Sequence, residues 1–465
     1  MTGGRTARRS VSAFDHRNYR LFFAGQAVSL VGTWMQQVAQ AWLVLELTGG
    51  DPLWLGIVSA AQFMPVVLLG LFAGVLADVL PKRQTLMAVQ AVMMVLAAIL
   101  AVLTLSGAVE LWMVIVLALA LGCANAVDMP VRQSFAMELV GPRDVGNAVS
   151  LNSAMFNGAR VLGPAIAGLT IGAFGVGLAF VLNAVSFLAV LVALSLMRDD
   201  ELHSPRLIPR PGSVAEVFVN LREGLAFVRS TPVVLMAVSM VGLVATVGMN
   251  FNVLIPPLAQ DVLGTDAAGY GFLMTASGIG ALGAAVALVI GGRPRPVRIA
   301  IGASLLGVAS ILLALSGSFP LSLVLMVFVG GGGIAMAATA NATIQLSVPD
   351  GLRGRVMSVY TTVFSASVPV GGLLMGGLAS LVGIPGTIAV GGILSLAVGL
   401  LGYVWWRRIA PSWRPMLGTR SAAVPAVASS EPERSGAPSP VTAPGLPRRL
   451  DAGRPPAPAG TRRPS

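Results

Sequence analysis

Apolar stretches of 20 to 28 residues recur along this chain, and basic residues occupy only every second gap between them. The stretches cover about 20–46, 54–79, 84–106, 111–138, 146–173 and 177–197, then about 233–260, 268–291, 297–316, 321–347, 355–381 and 386–406. Each is long enough to cross a bilayer as a helix, which takes about 20 apolar residues. The bases fall at Arg5 to Arg20, Lys82 and Arg83, Arg143, Arg198 to Arg229, Arg293, Arg295 and Arg298, Arg353 and Arg355, and from Arg407 onward. The intervening gaps hold no Lys or Arg, only Asp51, Glu110, Asp261 and Asp266. A missed or invented segment would scramble this alternation from that point on. The pattern therefore predicts an all-α, multi-pass protein of the cell (plasma or inner) membrane. It has twelve transmembrane helices and, by the positive-inside rule, cytoplasmic N- and C-termini.

Composition removes other classes. Only 11% of residues are charged, against about 25% in soluble domains, so a soluble enzyme is excluded. The net charge of +11 comes from arginines spread over the connections, not from one basic domain, and predicts no nucleic-acid partner. One cysteine, Cys123, and two histidines outside the apolar segments, His16 and His203, leave no metal cluster and no disulfide framework. Gly330 to Gly333 is followed by no Lys-Ser/Thr and is no phosphate loop. No nucleotide or other cofactor is expected, so active transport would draw on a gradient, expected to be the proton gradient.

The longest connection divides the segments six and six. We read a cytoplasmic arm at 1–19, a six-helix bundle at 20–197, a linker at 198–231, a second bundle at 232–408 and a Pro-rich, disordered cytoplasmic tail at 409–465. No cleaved signal peptide is expected at the start. In the linker Val214, Val217, Phe218, Leu221, Leu225 and Val228 recur at helical spacing, which predicts an amphipathic helix at the cytoplasmic interface. The halves are related. Val140–Gly168 falls on Val348–Gly376 with Gly146/Gly354, Ser150/Ser358, Phe156/Phe364, Gly163/Gly371 and Gly168/Gly376 in register. Repeated halves with a site between them are an architecture of secondary transporters.

Gly74-Val75-Leu76-Ala77-Asp78, followed by Lys82-Arg83, resembles the loop signature of the major facilitator superfamily. Two departures are visible: Val79 stands where a base is usual, and Pro81 replaces a second Gly. Phe14-Asp15-His16-Arg17-Asn18-Tyr19-Arg20-Leu21-Phe22, Gly32-Thr33-Trp34-Met35-Gln36, Asp128-Met129-Pro130-Val131-Arg132-Gln133 and Arg353-Gly354-Arg355-Val356 look like the branch containing enterobactin exporters and transmembrane secretion effectors. The resemblance spans about 14–408. It implies a major facilitator fold, a small-molecule substrate and a gating role for the loop that holds Gly74, Asp78, Lys82 and Arg83. We read Glu138 as a further member of that latch. The other reading of the loop is a turn-stabilising Asp with topogenic bases.

Within the apolar segments, Asn125, Asp128 and Arg132 share one face of the fourth. Arg160 lies about 21 Å into the fifth and needs a partner, for which Asp128 is the candidate, with Asn157 assisting. Two roles are open: a proton-coupling carboxylate held by arginines, or a structural ion pair. Gln26, Ser29, Thr33, Gln36 and Gln40 form a polar stripe on the first segment, lining a cavity or bonding a neighbouring helix. Gly158, Gly163, Pro164 and Gly168, facing Gly371, Gly372 and Gly376 in the related half, read as close-packed pivots. The first four loosely resemble a Gly-Pro motif of proton-driven antiporters.

The function expected is export of an amphipathic small molecule, a drug or siderophore, by proton antiport. The protein is expected to act as a monomer in the lipid bilayer. Nutrient uptake or facilitated diffusion on the same fold, and a non-transporting scaffold or sensor, remain as alternatives.

Overall fold

A chain surrounded by hydrocarbon must satisfy every backbone polar group internally, which leaves helices or closed barrels. Apolar runs without period-2 alternation choose the helix. The computed structural model describes residues 12–203, 214–292 and 294–412, and the side chains of 71–79 and 214–218 lie outside what it describes. Most of the expected arm and nearly all of the tail fall outside the described residues.

Every regular element among the described residues is helical. α1 is Arg17–Leu47, α2 Pro52–Val79 and α3 Lys82–Leu105. Leu111–Phe174 is one helical run broken at Gly141 into α4 (111–140) and α5 (142–174). α6 is Val176–Ser195, α7 the connecting helix Val214–Ser230 and α8 Pro232–Gly248. The short α9, Phe251–Pro257, runs into a π-helical turn at Leu258–Val262. There follow α10 Ala267–Ile290, α11 Val297–Leu315 and α12 Phe319–Ser347. Asp350–Ile409 is broken at Gly383 into α13 (350–382) and α14 (384–409). Among the described residues, nine helical stretches are long and apolar enough to cross a membrane, counting each broken run once and leaving out α1.

The seventh apolar segment departs from a single helix. It stops at Gly248 and restarts at Phe251, where Pro256 and Pro257 each remove a backbone donor. α7 forms over the amphipathic stretch and packs its apolar face on the protein. Val228 is buried, Leu221 and Phe227 pack on the core formed with α8 and α13, and Glu223 pairs with Arg355.

The apolar core is asymmetric along the helix axes. At the end away from the termini, one continuous core joins α1 to α6 with α9 to α14, from Met35 through Ile171 to Val253, Tyr270, Met375 and Ile388. At the terminal end it is two. One holds Phe22, Leu86, Phe135 and Leu194; the other holds Val228, Met236, Ile344 and Val356. Burial across the two parts thus closes one end, and a cleft opens towards the other. Where the parts meet, backbones touch. A Cβ on Gly168 would stand 3.0 Å from the Ala268 carbonyl, and one on Gly376 2.8 Å from the Pro52 carbonyl.

Gly175 and Gly383 support the internal repeat: 208 residues apart, they hold φ/ψ of 80°/169° and 77°/168°. That region is essentially restricted to glycine, and another residue there costs about 1–3 kcal/mol. We expect Gly175→Ala to lower the thermal unfolding temperature of the detergent-purified protein. Gly158→Ala, in a helix with no non-local atom within 4 Å of the added Cβ, should be neutral or stabilising by up to about 1 kcal/mol.

Candidate functional site

The buried charges gather on α4. Asp128, 1% exposed, accepts a 2.7 Å hydrogen bond from Gln90 Nε2 on α3. Its other oxygen stands 2.9 Å from Arg132 Nη2, one turn on along the same helix. Arg132 Nη1 in turn donates to Gln26 Oε1 on α1 at 3.3 Å. Three helices are thus tied through one carboxylate. Gln26 Nε2 and Gln90 Oε1 make no protein hydrogen bond, and a bridging water is the usual way such buried groups are satisfied.

Arg160 is not the partner of Asp128. The i,i+4 spacing brings Arg132 to the carboxylate first, and α5 directs Arg160 elsewhere. Gly163 sits against Val31 and Trp34 of α1, while Gly168 sits against Ala268 and Gly271 of α10. At 3.6 residues per turn, Ser153, Asn157, Arg160 and Pro164 lie on the face between those contacts, towards the cleft. Leu162 and Leu169 are exposed on the opposite side. The Arg160 guanidinium lies 5.9 Å from the centre of the Trp34 ring, which packs edge-on against Phe156 at 5.6 Å. Asn157 gives no help, since its side chain donates to the Ser153 carbonyl. A charged arginine in hydrocarbon costs at least about 2.5–3.5 kcal/mol, and a cation–π contact returns about 0.5–2 kcal/mol.

The polar stripe of α1 turns mostly inward, towards neighbouring helices. Gln26 meets Arg132, Gln36 accepts from Asn183 of α6, and Gln40 Nε2 donates to Gln62 Oε1 of α2 at 3.0 Å. Thr33 bonds back to the Ser29 carbonyl, and Asn125 to that of Leu121. Of the stripe, Gln40 reaches the cleft. With Gln37, Ser59, Gln62 and Asn252 it lines the polar wall of a small cavity between α1, α2 and α9, whose other wall is apolar. The lining carries carboxamides and no charge. Gln62, Gln90 and Asn183 went unread in the sequence, although a lone carboxamide inside an apolar segment signals a buried hydrogen bond.

At the terminal end, Lys82 pairs with Glu138, their side chains 7% and 14% exposed. Arg83 donates to the Leu194 carbonyl at 2.8 Å and pairs with Asp199. The side chains at positions 74 and 78 lie outside the described residues, so of the residues read as a latch only Lys82, Arg83 and Glu138 are seen. The pivot glycines divide. Gly371 abuts the Thr246 carbonyl of α8, Gly372 faces Gly56 and Gly376 faces Pro52 of α2, but Gly158 packs against nothing.

The fold as a whole is similar to that of solved transporters. A bacterial homologue of the human lysosomal transporter Spinster, in an inward-facing and occupied conformation, superposes with a TM-score of 0.65 at 13% identity, covering 86% of this chain and 97% of that one. A POT family transporter in complex with 5-aminolevulinic acid gives 0.69 at 13% identity, covering 85% and 97%. Residues 9–415 match the family model of the transmembrane secretion effectors. The chain belongs to that family of the major facilitator superfamily. It is a multi-pass membrane transporter of small molecules, not an enzyme. The staphyloferrin A transporter of Staphylococcus aureus is 27% identical, covering 84% of this chain and 96% of that protein. The multidrug efflux pump Tap of Mycolicibacterium fortuitum is 32% identical, covering 79% and 90%.

Breaking a buried ion pair on one side leaves an uncompensated charge, typically at a cost of about 3–5 kcal/mol. Glu138→Gln should therefore destabilise the protein by an amount approaching that range. The double change Lys82→Met with Glu138→Leu should recover most of the loss. Thermal unfolding of the three proteins in one detergent measures both.

Proposed function

We propose that the chain crosses the cell membrane twelve times as two six-helix bundles, with cytoplasmic termini, and exports an amphipathic small molecule in exchange for protons. The nine stretches support twelve crossings when the broken runs of 64 and 60 residues are divided at Gly141 and Gly383 and the 31 residues of α1 are added. Arginines in the terminal-end connections support the orientation. In that orientation the cleft faces the cytoplasm, the loading state of an exporter. The transporter acts as a monomer.

Export draws support from relatives named as an efflux pump and a siderophore transporter. Antiport rests on one observation, the carboxylate of Asp128 buried between Arg132 and Gln90. A buried carboxylate keeps its charge only while cations or donors stand beside it. A motion that withdraws Arg132 towards Gln26 would load a proton on Asp128, and its return would release it. Gly163, Gly168, Gly371 and Gly376 are the pivots of that motion, and the Lys82–Glu138 pair belongs to the cytoplasmic latch.

The test is efflux of a dye panel, cationic ethidium and anionic carboxyfluorescein included, from cells with and without the protein, with and without a proton uncoupler. We expect uncoupler-sensitive efflux of at least one dye. In proteoliposomes Asp128→Asn should lose proton-driven accumulation while retaining downhill exchange. Full proton-driven transport by that variant would remove the coupling assignment. Uncoupler-sensitive uptake would reverse the direction.

A further inference from the structure

Away from the ends of the apolar segments, and among the described residues, Arg160 is the cation that no carboxylate answers. The described ion pairs use Lys82, Arg83, Arg132, Arg198, Arg353, Arg355 and His16, and none reaches Arg160. Its guanidinium lies against the Trp34 ring, 5.9 Å from the ring centre. A ring quadrupole orients a cation without neutralising it, so the donors of the guanidinium fork remain unpaired. Their surroundings are built for an amphiphile. Trp34 and Phe156, the latter 47% exposed, form an edge-to-face aromatic wall. Gln37, one turn beyond Trp34 on α1, leads into the carboxamide-lined space with Gln40, Gln62 and Asn252.

We propose that Arg160 is the anion-binding subsite of the transport cleft, taking a carboxylate of the substrate while the substrate's aromatic or aliphatic body lies on Trp34 and Phe156. The carboxamides beyond it hydrogen-bond neutral polar groups of the same molecule. Arginine suits this role because its planar fork offers two parallel N–H donors to a carboxylate. The substrate class is an amphipathic carboxylic acid rather than a lipophilic cation, which an unneutralised guanidinium in the cleft would repel.

This inference rests on the cleft's being the transport site, and its test is separate from transport. Dansylglycine and its neutral analogue dansylglycinamide share a fluorescent body and differ in one carboxylate. We expect the purified wild-type protein to bind dansylglycine about tenfold more tightly, the scale of one charge-assisted hydrogen-bond pair. That preference should shrink in 0.5 M NaCl, a condition that needs no mutant to fold. Arg160→Gln should bind both probes alike, with the amide's affinity within about twofold of wild type, and Arg160→Lys should keep part of the preference. Equal binding of the two probes by wild type, binding of neither, or a preference that survives Arg160→Gln would overturn the proposal. Probe selectivity can be lost while dye efflux persists, and efflux can fail while selectivity stands, so the two readings fail separately.

Discussion

Backbone meeting backbone through glycine is the contact on which the rest of this structure depends. α5 lies on α10 through Gly168 and Gly271, and α2 lies on α13 through Gly56, Gly372 and Gly376. Helices in lipid gain little from burying leucine against leucine, since the lipid is equally apolar, and association relies on close packing of small residues. Those two seams bring the parts together at the end away from the termini, where Trp42 stacks on Tyr270 at 6.2 Å and Ser380 donates to Asp51 at 3.1 Å. The cleft, its depth and its opening direction all follow from where the seams sit.

Inside each part the problem is different: buried polar groups must be satisfied by neighbours. Asp128 is held within its own part by α3, α4 and α1, and among the described residues no group from the second part enters that network. Arg160 has the opposite arrangement. Its carbonyl lies beside Gly278 of α10, and its side chain faces the space between the parts. One charge can therefore ride with its bundle as a unit, while the other is exposed to whatever enters the cleft.

Much of this was legible in the sequence, and the reason is the solvent. Hydrocarbon permits so few backbone solutions that apolar length and loop charge predict helices at nearly every stretch where they occur, and the 208-residue repeat anticipates the matched glycine turns at 175 and 383. Pairing was legible only in part: the spacing sets Asp128 and Arg132 on one face, and Glu138 reads with Lys82. Depth along a helix suggested Asp128 with Arg160, but depth says nothing about rotation, and rotation placed Arg132 nearer. The stripe on α1 was similarly ambiguous: a polar face can meet water or another polar helix. Gln36 and Gln40 found Asn183 and Gln62, which single-segment periodicity could not reveal. The break at Asn250 was also hidden, because Gly248 and Asn250 lie in a stretch apolar enough to read as one helix.

The two ends of the molecule are unequal in a way that bears on turnover. Opening the far end exposes Val253, Leu254, Tyr270 and Leu273, which are now buried in a core shared by both parts. At about 25 cal/mol per Å² of apolar surface, that exposure must be matched by new burial elsewhere. The separate cores at the terminal end supply candidates, since Leu151 and Phe364 are only partly buried against their own parts. A substrate that spans the cleft adds to the same balance by bridging α1 and α5 to α9. On the proposed reading, that bridge runs from Arg160 and Trp34 on one side to Asn252 on the other. Closure around a bound anion would then neutralise a charge as well as bury a surface, and the empty carrier would lack that term. On the reading proposed above, closure is then favoured by the bound substrate.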